Sequence, residues 1–80
     1  MKLPRNLSGK DIVKALSIYG YHFVRQKGSH ILVTTQQNGE HHLAIPNHDP
    51  VKIGTLNAVL SQVATHFGVT KEELVRKLFN

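Results

Sequence analysis

The sequence has no cysteine, so it can form neither a disulfide framework nor a thiolate metal site. No apolar run approaches the roughly 20 residues needed to span a membrane, and residues 1–6 lack the apolar centre of a secretory signal. We therefore expect a cytoplasmic protein without membrane contact. Eighty residues suffice for one domain with a modest core, which we expect to span 1–80, with a loose arm over 1–6.

Acidic residues are also scarce. The chain has 5 Asp and Glu against 10 Lys and Arg, which gives a net charge of +5 with neutral histidines. Such an excess in a short chain favours a polyanionic partner, either a nucleic acid or an acidic protein. The alternative is a basic surface that only maintains solubility.

The first two thirds of the chain predict one helix followed by three strands. Ser8 and Asp11 form a capping-box pattern, which predicts a helix that begins after Ser8 and that Gly20 ends. Aromatic and β-branched residues predict strands over 21–26, 29–36 and 40–45, with a tight turn at Lys27-Gly28. Pro46 ends the third strand because proline cannot donate to a ladder.

Two further helices are predicted after a loop over 47–53. Gly68 is placed to end the longer one, and Thr70 with Glu73 predicts the start of a short terminal helix. Apolar residues on the longer helix recur with helical spacing, at Leu56, Val59, Leu60, Val63, Ala64 and Phe67. The order α-β-β-β-α-α predicts an α+β fold with a three-stranded antiparallel sheet and helices on one face.

The register of the second hairpin follows from its turn. Asn38-Gly39 is typical of a two-residue type I′ turn, because both central positions need positive φ. Counting outward places His30 opposite Asn47 and beside His48. The end of the sheet would then gather Ser29, Lys27 and Lys52 around the two histidines.

The same register leaves the buried face of the sheet open. It places Leu32, Leu43 and Ile45 on the face of His30, and Ile31, Val33 and Ala44 on the other. Both faces are about half apolar, so alternation alone does not choose between them. If His30 faces solvent, its face carries an exposed apolar patch, which favours a protein partner.

Six histidines raise the question of a metal site. His41 and His42 are adjacent on a strand and so point to opposite faces. No histidine pair has i, i+4 spacing on a predicted helix, and no carboxylate cluster supplies a third ligand. The pattern therefore gives little support to metal binding.

The segment 25–30, with the sequence RQKGSH, concentrates the residue types that RNA cleavage needs. RNA carries its own nucleophile, the 2′-hydroxyl, so cleavage requires a base, an acid and cations near the phosphate, with no obligatory metal or other cofactor. A histidine with an ordinary pKa of about 6.5 can both accept and donate a proton near neutral pH. His30 is the candidate base or acid and His48 the second proton-transfer group. Ser29 is counted with these two histidines as a catalytic candidate. The candidate phosphate contacts are Arg25, Lys27, Lys52 and the backbone N–H groups at Gly28 and Ser29.

Three motifs in order resemble the HicA-type toxins of bacterial and archaeal toxin–antitoxin systems. They are RQKGSH at 25–30, IPNH at 45–48 and IGTL at 53–56, and the resemblance runs from about Ser8 to Leu78. It implies a fold like a double-stranded-RNA-binding domain, mRNA endonuclease activity and neutralisation by a HicB-type antitoxin. It assigns the essential histidine to His30, whereas a catalytic role for His48 is our own inference.

The chain departs from the family at two places. Many members have a second histidine directly after the first, where this chain has Ile31, and the helix over 70–79 extends beyond shorter members. Three hypotheses follow. The protein is an RNA-cleaving toxin, a non-catalytic RNA-binding module or degenerate toxin on the same fold, or a protein-interaction domain that uses an apolar face. The toxin would be monomeric or assembled with its antitoxin.

Overall fold

The computed structural model describes residues 3–79. Its helices and strands confirm the predicted α+β order, with three helices, one 3₁₀ turn and three strands in that range. In chain order they are α1 (Gly9–Leu16), the 3₁₀ turn (Ser17–Tyr19), β1 (His22–Lys27), β2 (His30–Thr35), β3 (His41–Pro46), α2 (Ile53–Phe67) and α3 (Lys71–Phe79). Of the predicted arm, residues 1 and 2 lie outside the described range, and Leu3 packs against the hydrophobic core.

The predicted capping box at the start of α1 is present. The hydroxyl of Ser8 accepts from the backbone N–H of Asp11 at 3.1 Å, and the Asp11 carboxylate accepts from the Ser8 N–H at 3.0 Å. These hydrogen bonds hold the pKa of Asp11 below its ordinary value. Gly20 follows the 3₁₀ turn with φ of 82°, as expected for a residue that ends a helix in the left-handed region.

The core lies between the three helices and one face of the sheet. Leu16 of α1, Leu60 of α2 and Leu74 of α3 are fully buried, and they meet Val33 and Ile45 from the sheet. The predicted apolar face of α2 is confirmed, and Gly68 ends that helix with φ of 65°. Within residues 3–79, the helices lack the length and apolar character that a membrane crossing requires.

The strands form an antiparallel sheet in the order β1-β2-β3, but the register predicted for the second hairpin is wrong by one residue. His30 lies opposite Pro46, and Leu32 opposite Ala44. The last pair is Thr35 with His41, which leaves residues 36–40 in the connection. A two-residue turn at Asn38-Gly39 is therefore not formed, although both residues have the expected positive φ, 56° and 95°.

Contacts with α2 explain why the longer connection forms. The side-chain amide of Asn38 donates to the carbonyl of His66 at 2.8 Å. Nε2 of His66 in turn donates to the carbonyls of Gln37 at 2.9 Å and Gly39 at 3.0 Å. These bonds hold the loop against the end of α2, so tertiary contacts decide the turn.

The corrected register resolves which face of the sheet is buried. A shift by one residue exchanges the faces of a strand relative to its neighbour. Ile31 and Val33 now share the core face with Leu43 and Ile45. His30 and Leu32 lie with Ala44 on the opposite side, which we call the open face. Its apolar patch is smaller than the predicted register implied, because Leu43 and Ile45 do not belong to it.

β1 is an edge strand with a β-bulge at Val24. Phe23 pairs with Val33 and Arg25 pairs with Leu32, so Val24 has no partner of its own. The extra residue brings both Val24 and Arg25 to the open face, where they line the same groove. All six residues of β1 are exposed, which leaves this strand outside the cover of the helices.

Candidate functional site

The turn between β1 and β2 lies one residue later than predicted. Lys27 pairs with His30, so Gly28 and Ser29 are the two central residues. Gly28 has φ of 58° and Ser29 does not have positive φ, the pattern of a type II′ turn with glycine first. The Gln26 amide donates to the Gly28 carbonyl at 3.1 Å and so braces the turn.

This turn forms one end of a groove on the open face. The groove has a volume of about 560 Å³ and brings four of the predicted site residues together. It is lined by Lys27, Gly28, Ser29, His30, Leu32 and Ala44. A second groove of about 520 Å³ shares Leu32 and Ala44 with the first and adds Arg25, a fifth predicted site residue, at the bulged strand. We refer to the two together as the open-face groove.

The other two predicted site residues, His48 and Lys52, lie in the segment between β3 and α2. Among the described residues, neither lines the open-face groove. The segment nevertheless adjoins the turn, because the N–H of Asn47 donates to the carbonyl of Ser29 at 2.7 Å. The predicted gathering of side chains is therefore seen for Lys27 and Ser29 with His30, and it does not include His48 and Lys52.

Gly9 fixes the position of this segment, a role that the sequence analysis missed. Its N–H donates to the carbonyl of His48 at 2.9 Å. A Cβ at residue 9 would lie 2.1 Å from the carbonyl oxygen of Pro46, so only glycine fits without movement of the backbone. The available sequence signal was a glycine directly after a helix cap, where good helix formers are otherwise preferred.

The cations of the open-face groove are available for a ligand. Among residues 3–79, Arg76 is paired with Glu72 at 3.3 Å and His42 is hydrogen-bonded to Glu40 at 2.7 Å, and neither contact includes Arg25 or Lys27. The hydrogen bond from His42 lowers the pKa of Glu40, so this carboxylate is already engaged. The groove thus combines two cations, an exposed imidazole and an apolar floor.

Two other histidines belong to a separate cluster at the opposite end of the hairpin. The rings of His41 and His66 stack with centroids 4.4 Å apart, and the Tyr21 hydroxyl is hydrogen-bonded to Nδ1 of His41 at 2.7 Å. Burial, with the nearby His66 and His42, lowers the pKa of His41. Burial also raises the pKa of Tyr21 to about 12. We call these three residues the histidine–tyrosine cluster.

Metal binding has no structural support in the described part of the chain. No group of three or more His, Cys, Asp or Glu side chains within residues 3–79 is arranged to hold a metal ion. The histidine–tyrosine cluster offers two imidazoles, of which His66 already donates through Nε2 to backbone carbonyls.

The fold and the groove define a small basic α+β protein with an exposed histidine between cations on an open sheet. The model of a protein family described as HicA toxin of bacterial toxin-antitoxin matches residues 9–64, more than half of the chain. The chain belongs to this family of toxins. Comparison with curated proteins and with solved structures returned no match. The order of strands and helices is consistent with the double-stranded-RNA-binding-domain-like fold that the resemblance implied.

Proposed function

We propose that the protein is the toxin of a type II toxin–antitoxin pair and cleaves mRNA as a metal-independent endoribonuclease. One observation carries the proposal. In a chain of the HicA toxin family, the open-face groove unites His30 with Lys27, Gly28 and Ser29 on an exposed surface. These are the residue types that RNA cleavage by the 2′-hydroxyl requires, and the fold leaves them accessible to a polyanion.

In the proposed reaction the 2′-oxygen forms a bond to the adjacent phosphorus, and the bond from phosphorus to the 5′-oxygen breaks. A base takes the proton of the 2′-hydroxyl, and an acid supplies a proton to the leaving 5′-oxygen. The products are a 2′,3′-cyclic phosphate and a 5′-hydroxyl, and no water or metal is consumed. One positioned general acid–base group contributes about 10²–10⁴-fold to the rate. We assign that part to His30.

The remaining residues hold the phosphate and complete proton transfer. Lys27 pairs with His30 across the strands, and Arg25 extends the positive charge along the open face. Both cations are suited to stabilise the negative charge that develops on the phosphate in the transition state. His48 is the proposed second proton-transfer group and Lys52 a further phosphate contact, since their segment is hydrogen-bonded to the turn at Ser29. Their participation requires that the RNA extend from the groove to this segment.

Ile31 bears on whether this copy of the toxin is active. Many family members have histidine at this position. Here Ile31 is 4% exposed and lies on the core face, on the side of the sheet opposite His30. A side chain at position 31 therefore contributes to the core rather than to the groove. This placement favours an active enzyme over a degenerate copy.

The antitoxin is proposed to cover the open face. A HicB-type protein placed there would bury His30 and would also remove Val24 and Leu32 from water. Val24 is 52% exposed and lines the same groove as Leu32 and Ala44, so these residues form one apolar patch for a protein partner to cover. In this proposal residues 1–80 act as one cytoplasmic domain, either as a monomer or assembled with the antitoxin.

The test is cleavage of a structured mRNA by purified protein in excess EDTA, beside His30→Ala and the control variant His22→Ala, an exposed histidine of β1 that does not line the open-face groove. We expect cleavage by the wild type and by His22→Ala, and none by His30→Ala. Equal cleavage by all three would exclude His30 as the catalytic group. RNA binding without cleavage by any of them would instead identify an RNA-binding module.

A further inference from the structure

A small groove between α1 and β1 lies on the helix side of the sheet, away from the open-face groove. It has a volume of about 160 Å³ and is lined by Lys10, Val13, Phe23, Gln26 and Ile31. We call it the α1–β1 groove. Nothing in the proposed chemistry uses it, and no element of the described chain covers its outer wall, Phe23.

Phe23 is the unusual feature of this groove. Its side chain is 57% exposed, although it pairs with the core residue Val33 on the neighbouring strand. β1 is an edge strand whose six residues are all exposed, so the ring remains largely in water although it faces α1. A large exposed aromatic ring is costly in water and is characteristic of binding surfaces.

The other walls of the groove are suited to a ligand that has a flat ring with polar edges and carries a negatively charged group. Val13 and Ile31 supply apolar surface, and Lys10 supplies a cation at the rim. The Gln26 amide donates one N–H to the Gly28 carbonyl, which leaves its oxygen and second N–H for a ligand. An aromatic face, an amide and an ammonium group are what an unpaired nucleobase and its phosphate require.

The edge of the sheet connects the α1–β1 groove with the proposed catalytic residues. Phe23 and Gln26 face the helix side of β1, whereas Arg25 and Lys27 face the open side. Because β1 is the edge of the sheet, a strand of RNA can pass around it from one face to the other. Phe23 is four residues from Lys27, roughly 13 Å along the strand. That is several times the ~3.4 Å rise of one stacked nucleotide, so the bound base lies a few nucleotides from the cleaved linkage.

We infer that the α1–β1 groove binds an unpaired base of single-stranded RNA by stacking on Phe23, and so selects the substrate's conformation. This inference rests on the proposed ribonuclease function and names its substrate class. A paired base cannot present its face to a side chain, so duplex RNA would not use the groove. The positive charge of Lys10 and the net charge of +5 for the whole chain favour RNA as the ligand over a neutral apolar segment of a protein.

The first test uses the absence of tryptophan from the chain. Phe23→Trp, combined with His30→Ala to prevent cleavage, places a single tryptophan in the groove. We expect its fluorescence to be quenched by single-stranded RNA, but not by an abasic ribose-phosphate oligomer or by duplex RNA of the same length. Equal response to the RNA and the abasic oligomer, or no response to RNA that binds, would overturn the inference.

The second test measures affinity by fluorescence anisotropy at one salt concentration, again in the His30→Ala protein. We expect Phe23→Ala to weaken single-stranded RNA binding about tenfold or more, and Phe23→Tyr to restore it. Ile18→Ala, which removes a similarly exposed apolar side chain (51%) elsewhere, is the control and should have no effect. Unchanged affinity in Phe23→Ala, or equal losses for RNA and the abasic oligomer, would contradict stacking.

A cleavage assay separates this inference from the proposed function. If the protein with native His30 cleaves RNA and Phe23→Ala cleaves and binds as well as the wild type, the base-binding groove is excluded while the ribonuclease stands. If an acidic antitoxin changes the fluorescence of the Phe23→Trp protein and RNA does not, the groove belongs to a protein interface and the inference fails. Absence of both cleavage and RNA binding would exclude both proposals.

Discussion

The two ends of the same hairpin sheet use histidine in opposite ways. In the histidine–tyrosine cluster, His41 stacks on His66, is hydrogen-bonded to Tyr21 and has a lowered pKa. At the open-face groove, His30 is exposed, and within residues 3–79 its side chain makes no hydrogen bond or ion pair. An imidazole that fills its bonding capacity with protein contacts stabilises the fold. An imidazole whose two nitrogens remain accessible beside cations can exchange protons with a substrate.

The sharpest way to test this contrast is to remove one histidine from each region. His30→Ala should lower RNA cleavage by about 10²–10⁴-fold, the contribution of one general acid–base group, with no loss of stability. His41→Gln should retain cleavage and lower stability instead. The measurements are cleavage rate and thermal unfolding of both variants. Loss of cleavage by His41→Gln at a temperature where the variant is still folded would contradict this division of roles between the two histidines.

A second comparison concerns two glycines in the first turns of helices, Gly9 in α1 and Gly54 in α2. Gly9→Ala should destabilise the protein by about 1–3 kcal/mol, because its Cβ would meet the Pro46 carbonyl oxygen at 2.1 Å and displace the segment bonded to Ser29. Cleavage should fall as well. Gly54→Ala is the matched control, since a Cβ there meets open space, and it should stabilise the protein by about 0.5–1 kcal/mol. Equal effects of the two variants in urea unfolding would refute the packing argument.

The cations of the open-face groove should act through the phosphate backbone. Lys27→Ala should weaken RNA binding uniformly across sequences and reduce the slope of log affinity against log salt by about 0.7, the value for one phosphate contact on a single strand. Lys77→Ala is the control, because Lys77 lies on α3 with its Nζ 5.5 Å from the centre of the Tyr19 ring. A slope unchanged in Lys27→Ala would place the phosphate elsewhere.

The histidine–tyrosine cluster should make stability depend on pH at both ends of the range. The folded-state pKa of His41 lies below its ordinary 6.5, so the unfolded chain binds more protons below that pH. Stability is therefore full above pH 6.5 and declines as the pH falls toward the lowered pKa. His41→Gln should flatten this decline, as measured by urea unfolding at a series of pH values.

At alkaline pH the sign reverses for the tyrosine. The pKa of Tyr21 is raised from 10.0 to about 12, so the unfolded chain loses its phenolic proton first. Stability is full below pH 10 and declines between pH 10 and 12. Tyr21→Phe should remove this dependence while it costs the hydrogen bond to His41, about 1 kcal/mol at neutral pH. An alkaline decline that persists in Tyr21→Phe would assign it to another group.

Local chemistry in the sequence was sufficient to predict the elements and most of the candidate site. The Ser8–Asp11 capping box and the positive φ of Gly20 and Gly68 follow from interactions within a few residues, and each was found where predicted. The segment 25–30 also placed Lys27, Gly28 and Ser29 beside His30, because residues at one turn cannot be far apart. The roles assigned to these residues stay predictions until the variants are measured.

What only the tertiary structure decided depends on contacts between distant residues. The register of the second hairpin was mispredicted because Asn38 and His66, 28 positions apart, hold a loop that the turn residues alone did not specify. With the register shifted by one residue, Ile31 and Val33 share the buried face with Leu43 and Ile45, and His30 lies on the exposed face. The bulge at Val24 likewise has no local signal. The glycine after the helix cap indicates a special position at residue 9, but only the packing of two separate segments shows that it approaches Pro46. The sequence by itself therefore determined which elements form and which residues can do chemistry, and packing determined which way those residues face.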